Sequence, residues 1–119
     1  FTLTMKYLFI FLFFTNSYIF AFQDLESKSA KVSFEVSGVC DMCKSRIEMG
    51  AIKIKGVKYA NWNIASNNLN IIYNSKKIKL DSIKKNIAAL GHDTDKYKAP
   101  LKVYKSLPEC CYYKTNSPH

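Results

Sequence analysis

The chain has few of the residues that mark several common classes of protein. Only three of its 119 residues are proline and none precedes position 100, so the proline loop that faces the cysteines of thioredoxin-type domains has no counterpart. Acidic residues number 9 against 18 basic ones, and the sequence shows neither a nucleophile–base set nor a carboxylate pair suited to hydrolysis or group transfer. We therefore predict that the chain is not an enzyme.

The excess of basic residues gives a net charge of +9. Such a charge is found in proteins that bind nucleic acid, anionic membranes or acidic protein partners. The lysines are scattered along the chain, and no nucleic-acid-binding motif accompanies them. We predict no nucleic-acid partner and interpret most of the lysines as solvated surface charge.

The first residues predict a targeting segment rather than part of the fold. A lysine, an apolar run over residues 7–14 and the small residue Ala21 are typical of a secretory signal peptide. Residues 1–4 precede the first methionine and are interpreted as an over-extended reading of the gene. The alternative is a retained membrane anchor, but residues 7–22 span only about 24 Å as a helix, whereas a bilayer core needs about 30 Å. We predict an exported protein, periplasmic or secreted, that meets the membrane only if this segment is retained.

Hydrophobic periodicity predicts four strands and two helices. Strict alternation over residues 31–37 predicts a half-buried strand, and the same pattern predicts strands over 57–65, through 69–73 and, more briefly, over 94–98. Two segments carry apolar residues at helical spacing, namely Ile47, Ala51 and Ile54 in the first and Ile83, Ile87 and Leu90 in the second. Gly56 and Gly91 are predicted to close these helices, and Asp81 is predicted to be the N-cap of the second.

This order of elements, βαββαβ, predicts an α+β fold of the ferredoxin-like type. In that arrangement two helices cover one face of a four-stranded antiparallel sheet. We predict a signal peptide over 1–21, a linker over 22–30, the domain over 31–98 and a C-terminal tail over 99–119. The tail lies outside the repeating pattern, and its apolar residues offer a means of packing on the domain. These residues are Leu101, Val103 and Leu107.

The candidate chemistry lies where the first strand leads into the first helix. Cys40 falls in the loop and Cys43 in the first helical turn, where unpaired backbone N–H groups favour thiolate over thiol. Lys44 and Arg46 are expected to add positive charge nearby, which would lower the thiol pKa further. Two soft sulfur donors suit Cu(I) or Hg(II), and they are too few for a closed structural zinc site. An ion held by two exposed sulfurs is open to attack by another thiolate, which favours transfer.

The motif over residues 38–43, Gly-Val-Cys-Asp-Met-Cys, resembles that of the heavy-metal-associated domain family. This family includes copper chaperones, the N-terminal domains of copper-transporting P-type ATPases and the periplasmic mercury-binding protein. The resemblance covers about residues 31–98 and includes the Gly56-Val57 step. It implies that Cys40 and Cys43 hold the metal and that the partner is a metal donor or acceptor, such as a metal-transporting P-type ATPase or another thiol-rich protein.

Abundance and softness favour Cu(I) as the metal, with Hg(II), Zn(II), Ag(I) and Cd(II) as alternatives. The family usually has a buried methionine where this chain has Val39, so Val39 is expected to be a packing residue. Met42 is interpreted as a surface residue of the loop rather than a third ligand.

Further candidate ligands are His92, Cys110 and Cys111. In the family, the loop that holds His92 approaches the metal site, so this imidazole either offsets the charge of the bis-thiolate complex or is an ordinary exposed loop histidine. Cys110 and Cys111 admit three interpretations. They add thiolates to the Cys40/Cys43 site, they form disulfides with other cysteines, or they form a separate acceptor site or dimer contact.

Two rival functions use the same cysteines. A Cys-x-x-Cys motif at a helix start also serves thiol–disulfide exchange, so a redox protein is the alternative function. A structural disulfide between Cys40 and Cys43 in an interaction module is the other.

Overall fold

The structure is a computed structural model that describes residues 28–119. The predicted signal peptide over 1–21, and the predicted linker up to residue 27, lie outside the described residues. Within residues 28–119, no helix combines the length and the apolar character that crossing a membrane requires.

Three antiparallel strands form the sheet of the described domain. They are β1 (Ser29–Glu35), β2 (Val57–Trp62) and β3 (Asn68–Asn74). The strand order is β1-β3-β2, so the hairpin of β2 and β3 places the third strand in the centre. In this register Phe34 and Trp62 both lie opposite Leu69, and their buried side chains belong to the core. The strand predicted over 57–65 ends at Trp62, and residues 63–67 form the turn into β3, with Asn67 in the left-handed region at φ 60°.

Both predicted helices are present. They are α1 (Asp41–Ile52) and α2 (Leu80–Ala89). Gly56 and Gly91 follow them with φ of 102° and 108°, a conformation in which a side chain would be strained. Gly91 directly follows the C-cap Leu90 and closes α2 as predicted, whereas Gly56 lies three residues beyond the C-cap Lys53 of α1, in the turn that leads into β2.

The predicted fourth strand over 94–98 does not form in the described part of the chain. Thr94 makes only an isolated bridge with Val36. Two hydrogen bonds form it: the N–H of Asp95 donates to the carbonyl of Glu35 over 3.1 Å, and the N–H of Ser37 donates to the carbonyl of Asp93 over 2.8 Å. The reason is a turn directly after Thr94. The N–H of Thr94 donates to the carbonyl of Tyr97 over 2.8 Å, and the hydroxyl of Thr94 accepts from the N–H of Tyr97 over 2.9 Å. These bonds use the polar groups that a longer strand pairing would need.

The predicted N-cap of α2 is also corrected. Lys79 holds the cap position, and Asp81 lies in the first helical turn. The Asp81 carboxylate instead accepts a hydrogen bond from the hydroxyl of Tyr97, over 2.6 Å, and pairs with the ammonium of Lys96. These contacts, that with Lys96 above all, hold the pKa of Asp81 below its ordinary value. Asp81 therefore ties the turn after Thr94 to the helix.

The tail packs on the domain and contributes to its core. It contains a short helix, α3 (Leu101–Lys105), and a 3-10 turn at Glu109–Cys111. Three of its side chains belong to the same buried cluster as the sheet and helix residues, namely Tyr104, Leu107 and Cys111. Of the apolar residues expected to pack the tail, Leu107 is buried, whereas Leu101 is 58% exposed.

Candidate metal centre

The loop before the cysteines lies on the indole of Trp62. The indole N–H donates to the carbonyl of Val36 over 2.9 Å, and the ring is fully buried. A Cβ atom at Gly38 would lie 2.8 Å from Cζ2 of Trp62 and 3.1 Å from Cβ of Cys43, so the loop reaches this position only because residue 38 is glycine. Trp62 is the last residue of β2. Its role as the floor of the cysteine loop follows from the structure alone.

Cys40 and Cys43 converge at the start of α1. Cys40 is the N-cap residue, with extended backbone angles, and its carbonyl accepts the N–H of Lys44 over 3.0 Å. Cys43 follows in the first turn, and the two sulfur atoms lie 3.4 Å apart. The predicted convergence of the two thiols is thus present in the structure.

The tail brings two further thiols to the same place. The sulfur of Cys111 lies 3.6 Å from that of Cys40, and the sulfurs of Cys40, Cys110 and Cys111 all lie within 4.8 Å of one another. The thiol of Cys110 donates to the thioether of Met42 over 3.3 Å. All four cysteines are free thiols. Of the three interpretations of the vicinal pair, the geometry is that of the first, in which the tail folds back onto the Cys40/Cys43 site.

The sulfur atoms are less accessible than the exposed pair that the sequence predicted. Cys43 and Cys111 are fully buried and Cys40 is 5% exposed, because the 3-10 turn of the tail packs against the start of α1. Cys110 is only partly covered, and Met42 is 54% exposed. The cluster therefore has a buried inner part and an outer edge formed by Cys110 and Met42.

The environment shifts the pKa values of three of the thiols, and not all in the same direction. Burial raises the pKa of Cys40, but the backbone N–H and the thiol of Cys43, followed by the thiols of Cys111 and Cys110, outweigh it, so this pKa is below its ordinary value. Burial raises the pKa of Cys43 and that of Cys111. Of these three thiols, Cys40 is therefore the one that ionises first, and its sulfur lies within reach of the other two.

The predicted contribution of Lys44 to thiol ionisation is wrong. Its ammonium donates to the carboxylate of Glu48 over 2.5 Å and to the carbonyl of Trp62 over 2.6 Å. Glu48 also accepts the backbone N–H of Trp62, over 2.8 Å. Lys44 thus joins α1 to β2, and the donors that lower the pKa of Cys40 are the helix N-terminus and neighbouring thiols rather than a surface cation.

His92 is fully buried, so its interpretation as an exposed loop histidine is wrong. Nδ1 lies 2.8 Å from the carbonyl oxygen of Ser37, which places the proton on Nδ1 and the lone pair on Nε2. Nε2 is buried without a hydrogen-bond partner in the described part of the chain. The ring packs near Tyr113, with centroids 5.7 Å apart. His92 therefore joins the cysteine loop to the loop after α2, and the three-thiol group of Cys40, Cys110 and Cys111 does not include it.

A Cys-x-x-Cys loop at a helix start, on a βαββα body of this kind, defines a small metal-site domain of the ferredoxin-like type. Residues 33–93 match the family described as "Heavy-metal-associated domain". The chain belongs to the heavy-metal-associated domain family, as the motif over residues 38–43 indicated.

Two curated proteins are similar to this chain in sequence. A copper-exporting P-type ATPase of Bacillus subtilis is 32% identical over 78 residues, which are 65% of this chain and 10% of the ATPase. The copper chaperone CopZ of Staphylococcus epidermidis is 30% identical over 54 residues, which are 45% of this chain and 79% of the chaperone. The chain thus spans about a tenth of the ATPase and most of the chaperone.

The crystal structure of oxidized MerP from Ralstonia metallidurans is similar in fold. It superposes with a TM-score of 0.54 at 18% identity, and the match covers 56% of this chain and 94% of MerP. The matched family segment ends at residue 93, so Cys110 and Cys111 lie beyond it.

Proposed function

We propose that this chain binds one soft metal ion, Cu(I), through the thiolates of Cys40 and Cys43, and transfers or sequesters it in metal homeostasis or detoxification. The observation that carries the proposal is the 3.4 Å separation of the two sulfurs at the N-terminus of α1. Metal–sulfur bonds of about 2.3 Å allow two sulfurs on one ion to lie up to about 4.6 Å apart, so this separation permits both to bind the same ion.

The choice of Cu(I) rests on the softness of the donors and on the relatives. Thiolates select Cu(I) over harder divalent ions, and both curated relatives are named for copper. The ions Hg(II), Ag(I), Zn(II) and Cd(II) are the competitors against which this choice has to be measured.

The proposed partners are proteins that give or take the ion. A metal-transporting P-type ATPase fits this role, because the chain is similar to part of a copper-exporting ATPase. Another thiol-rich protein would exchange the ion by the same attack of thiolate on a bound metal. We further propose that the protein works outside the cytoplasm, as the apolar segment before the domain suggests.

Competitive titration of the reduced protein with Cu(I) and Zn(II) tests the proposal. We expect tight 1:1 binding of Cu(I), and its loss in the Cys40→Ser/Cys43→Ser double variant. Met49→Leu is the matched control, because it removes an exposed sulfur on the same helix, 58% exposed, and should bind as the unaltered protein does. Full Cu(I) affinity in the double variant would remove the basis of the proposal.

The same preparation tests the redox alternative. A thiol–disulfide oxidoreductase with Cys40 and Cys43 as its active pair would catalyse rapid reduction of insulin. A metal carrier should show no turnover beyond that of a simple thiol. Rapid turnover would favour the redox function.

A further inference from the structure

We propose that the C-terminal tail supplies a third thiolate, that of Cys111, to the ion held by Cys40 and Cys43, so that the site is closed and three-coordinate. This inference rests on the proposed function of the Cys40/Cys43 pair. Cys111 lies outside the matched family segment, so the third ligand is a feature of this chain's own tail.

Distance supports the assignment. Cys40 lies 3.4 Å from Cys43 and 3.6 Å from Cys111, measured between sulfur atoms. An ion that bonds three sulfurs at about 2.3 Å in a plane places them about 4 Å apart. Two of the three sulfur–sulfur separations, those of Cys40 from Cys43 and from Cys111, are therefore only a few tenths of an ångström short of that value.

The position of Cys111 is fixed by packing on both sides of it in the chain. Before it, Leu107 lies so close to Gly91 that a Cβ atom there would be 3.0 Å from Cδ2 of the leucine. After it, the hydroxyl of Tyr113 donates to the carbonyl of Gly91 over 2.8 Å and accepts the N–H of Asp93 over 3.1 Å. The third thiol is thus held in place rather than carried on a free tail.

The two vicinal cysteines differ in their surroundings. Cys111 is fully buried beside Cys40, whereas Cys110 is partly exposed and donates its thiol to Met42. A buried thiol without charged neighbours is costly to ionise, and a bound cation would offset that cost. Cys110 lies at the outer edge of the cluster, and Cys110→Ser tests whether it or Cys111 supplies the third sulfur.

A third thiolate changes what the site does. Two-coordinate Cu(I) on an exposed loop is open to attack by an incoming thiolate, whereas an ion bound by three thiolates that are almost fully buried under the tail is harder to reach. The site therefore retains its ion until the tail moves, which favours sequestration over rapid transfer.

X-ray absorption spectroscopy of the full chain with one equivalent of Cu(I) counts the bound sulfurs and tests the inference. We expect three sulfurs in the unaltered protein and in Cys110→Ser, and two in Cys111→Ser. The Cu(I) affinity should fall by at least about tenfold in Cys111→Ser, which is the smallest loss seen even for residues that only support a ligand. Cys110→Ser should stay within about twofold of the unaltered protein, well below that limit.

Several results would overturn the inference. Two bound sulfurs in the unaltered protein would refute the third ligand. The proposed function would still hold in that case if the Cys40→Ser/Cys43→Ser variant loses Cu(I) binding. A drop to two sulfurs in Cys110→Ser, with three kept in Cys111→Ser, would also overturn the inference. If Cys111→Ser fails to fold, three sulfurs in both the unaltered protein and Cys110→Ser support the inference. Absence of Cu(I) binding by the unaltered protein would refute the proposed function and this inference together.

Discussion

The phenol of Tyr113 donates a hydrogen bond to the carbonyl of Gly91 over 2.8 Å, and this contact joins the tail to the loop after α2. The same oxygen accepts the backbone N–H of Asp93 over 3.1 Å. Burial raises the pKa of Tyr113, so the phenol stays protonated and remains a donor across the physiological range. One side chain thus satisfies two backbone groups of the loop that also holds His92.

Tyr113→Phe is expected to loosen the tail. The change leaves the Gly91 carbonyl and the Asp93 N–H without their partner, and an unsatisfied buried group costs about 1–3 kcal/mol. Urea denaturation of the reduced, metal-free protein should show a loss of this size, and alkylation followed by mass spectrometry should show faster reaction of Cys111.

Tyr112→Phe is the control for this prediction. Its hydroxyl donates to the carbonyl of Lys105 over 3.0 Å in an exposed setting. The free energy of unfolding of Tyr112→Phe should differ from that of the unaltered protein by less than about 0.5 kcal/mol, as for most surface substitutions. Equal effects of the two changes would contradict the assigned role of Tyr113.

Gly38→Ala is expected to disturb the cysteine loop. The added methyl would lie 2.8 and 2.9 Å from two carbon atoms of the buried Trp62 ring, which has no free space into which to move. Overpacking of this kind costs about 1–3 kcal/mol, and we expect it to weaken Cu(I) binding as well. Thermal denaturation and Cu(I) competition measure the two effects.

Gly50→Ala is the matched control on α1. Its added methyl would lie 2.2 Å from Cδ1 of Leu90, so the end of this flexible, half-buried side chain has to move aside. Alanine is favoured over glycine in a helix by about 1 kcal/mol, which offsets part of that cost, and we expect Cu(I) affinity to be unchanged. A loss of Cu(I) affinity in Gly50→Ala as large as in Gly38→Ala would show that the effect does not arise from crowding in the cysteine loop.

We expect the metal-free protein to lose stability as the pH is lowered, because His92 then takes up a proton. Burial lowers the pKa of this imidazole below its ordinary value of 6.5, so the unfolded chain binds the proton more readily than the folded one. The stabilising effect of the neutral ring is complete above 6.5 and is lost as the pH falls through the folded-state pKa. Urea midpoints between about pH 5 and 8 measure this slope.

The chain offers a direct control for the pH prediction, because it has only two histidines. His92→Asn keeps an N–H donor for the carbonyl of Ser37 but does not titrate, so its urea midpoint should vary less with pH. His119→Asn changes the exposed histidine and should keep the slope of the unaltered protein. An unchanged slope in His92→Asn would show that another group is responsible.

The sequence predicted the parts of the fold that depend on local pattern. The alternation around Phe34, the helical spacing of Ile47 and Ala51, and the glycine after α2 all describe contacts within a few residues. For the same reason the Cys-x-x-Cys loop was placed correctly, since a strand end and a helix start define it.

The rest depended on contacts between distant segments. The sequence pattern predicts a strand that starts at Thr94. In the structure the hydroxyl and the N–H of Thr94 bind Tyr97 instead of extending a pairing with β1, and the pattern does not indicate which partner is preferred. The sequence separation of 71 between Cys40 and Cys111 likewise hides their proximity, because the tail has no periodic pattern. The apolar residues Leu101, Val103 and Leu107 were the available signal that the tail packs on the domain, and of these Leu107 is buried.

Leu107→Ala is expected to speed the release of Cu(I). Leu107 is 4% exposed and packs against Gly91, and removal of a buried leucine side chain costs about 2–5 kcal/mol. Part of that cost falls on the contact that holds the tail over the sulfurs, so the tail should open more often and admit a competing thiolate. Stopped-flow transfer of Cu(I) to a chelator should be faster than in the unaltered protein. Leu101→Ala, at an exposed position of the same tail, should leave the rate unchanged, and a rate that stays constant in Leu107→Ala while its stability falls would show that the tail does not control access to the metal.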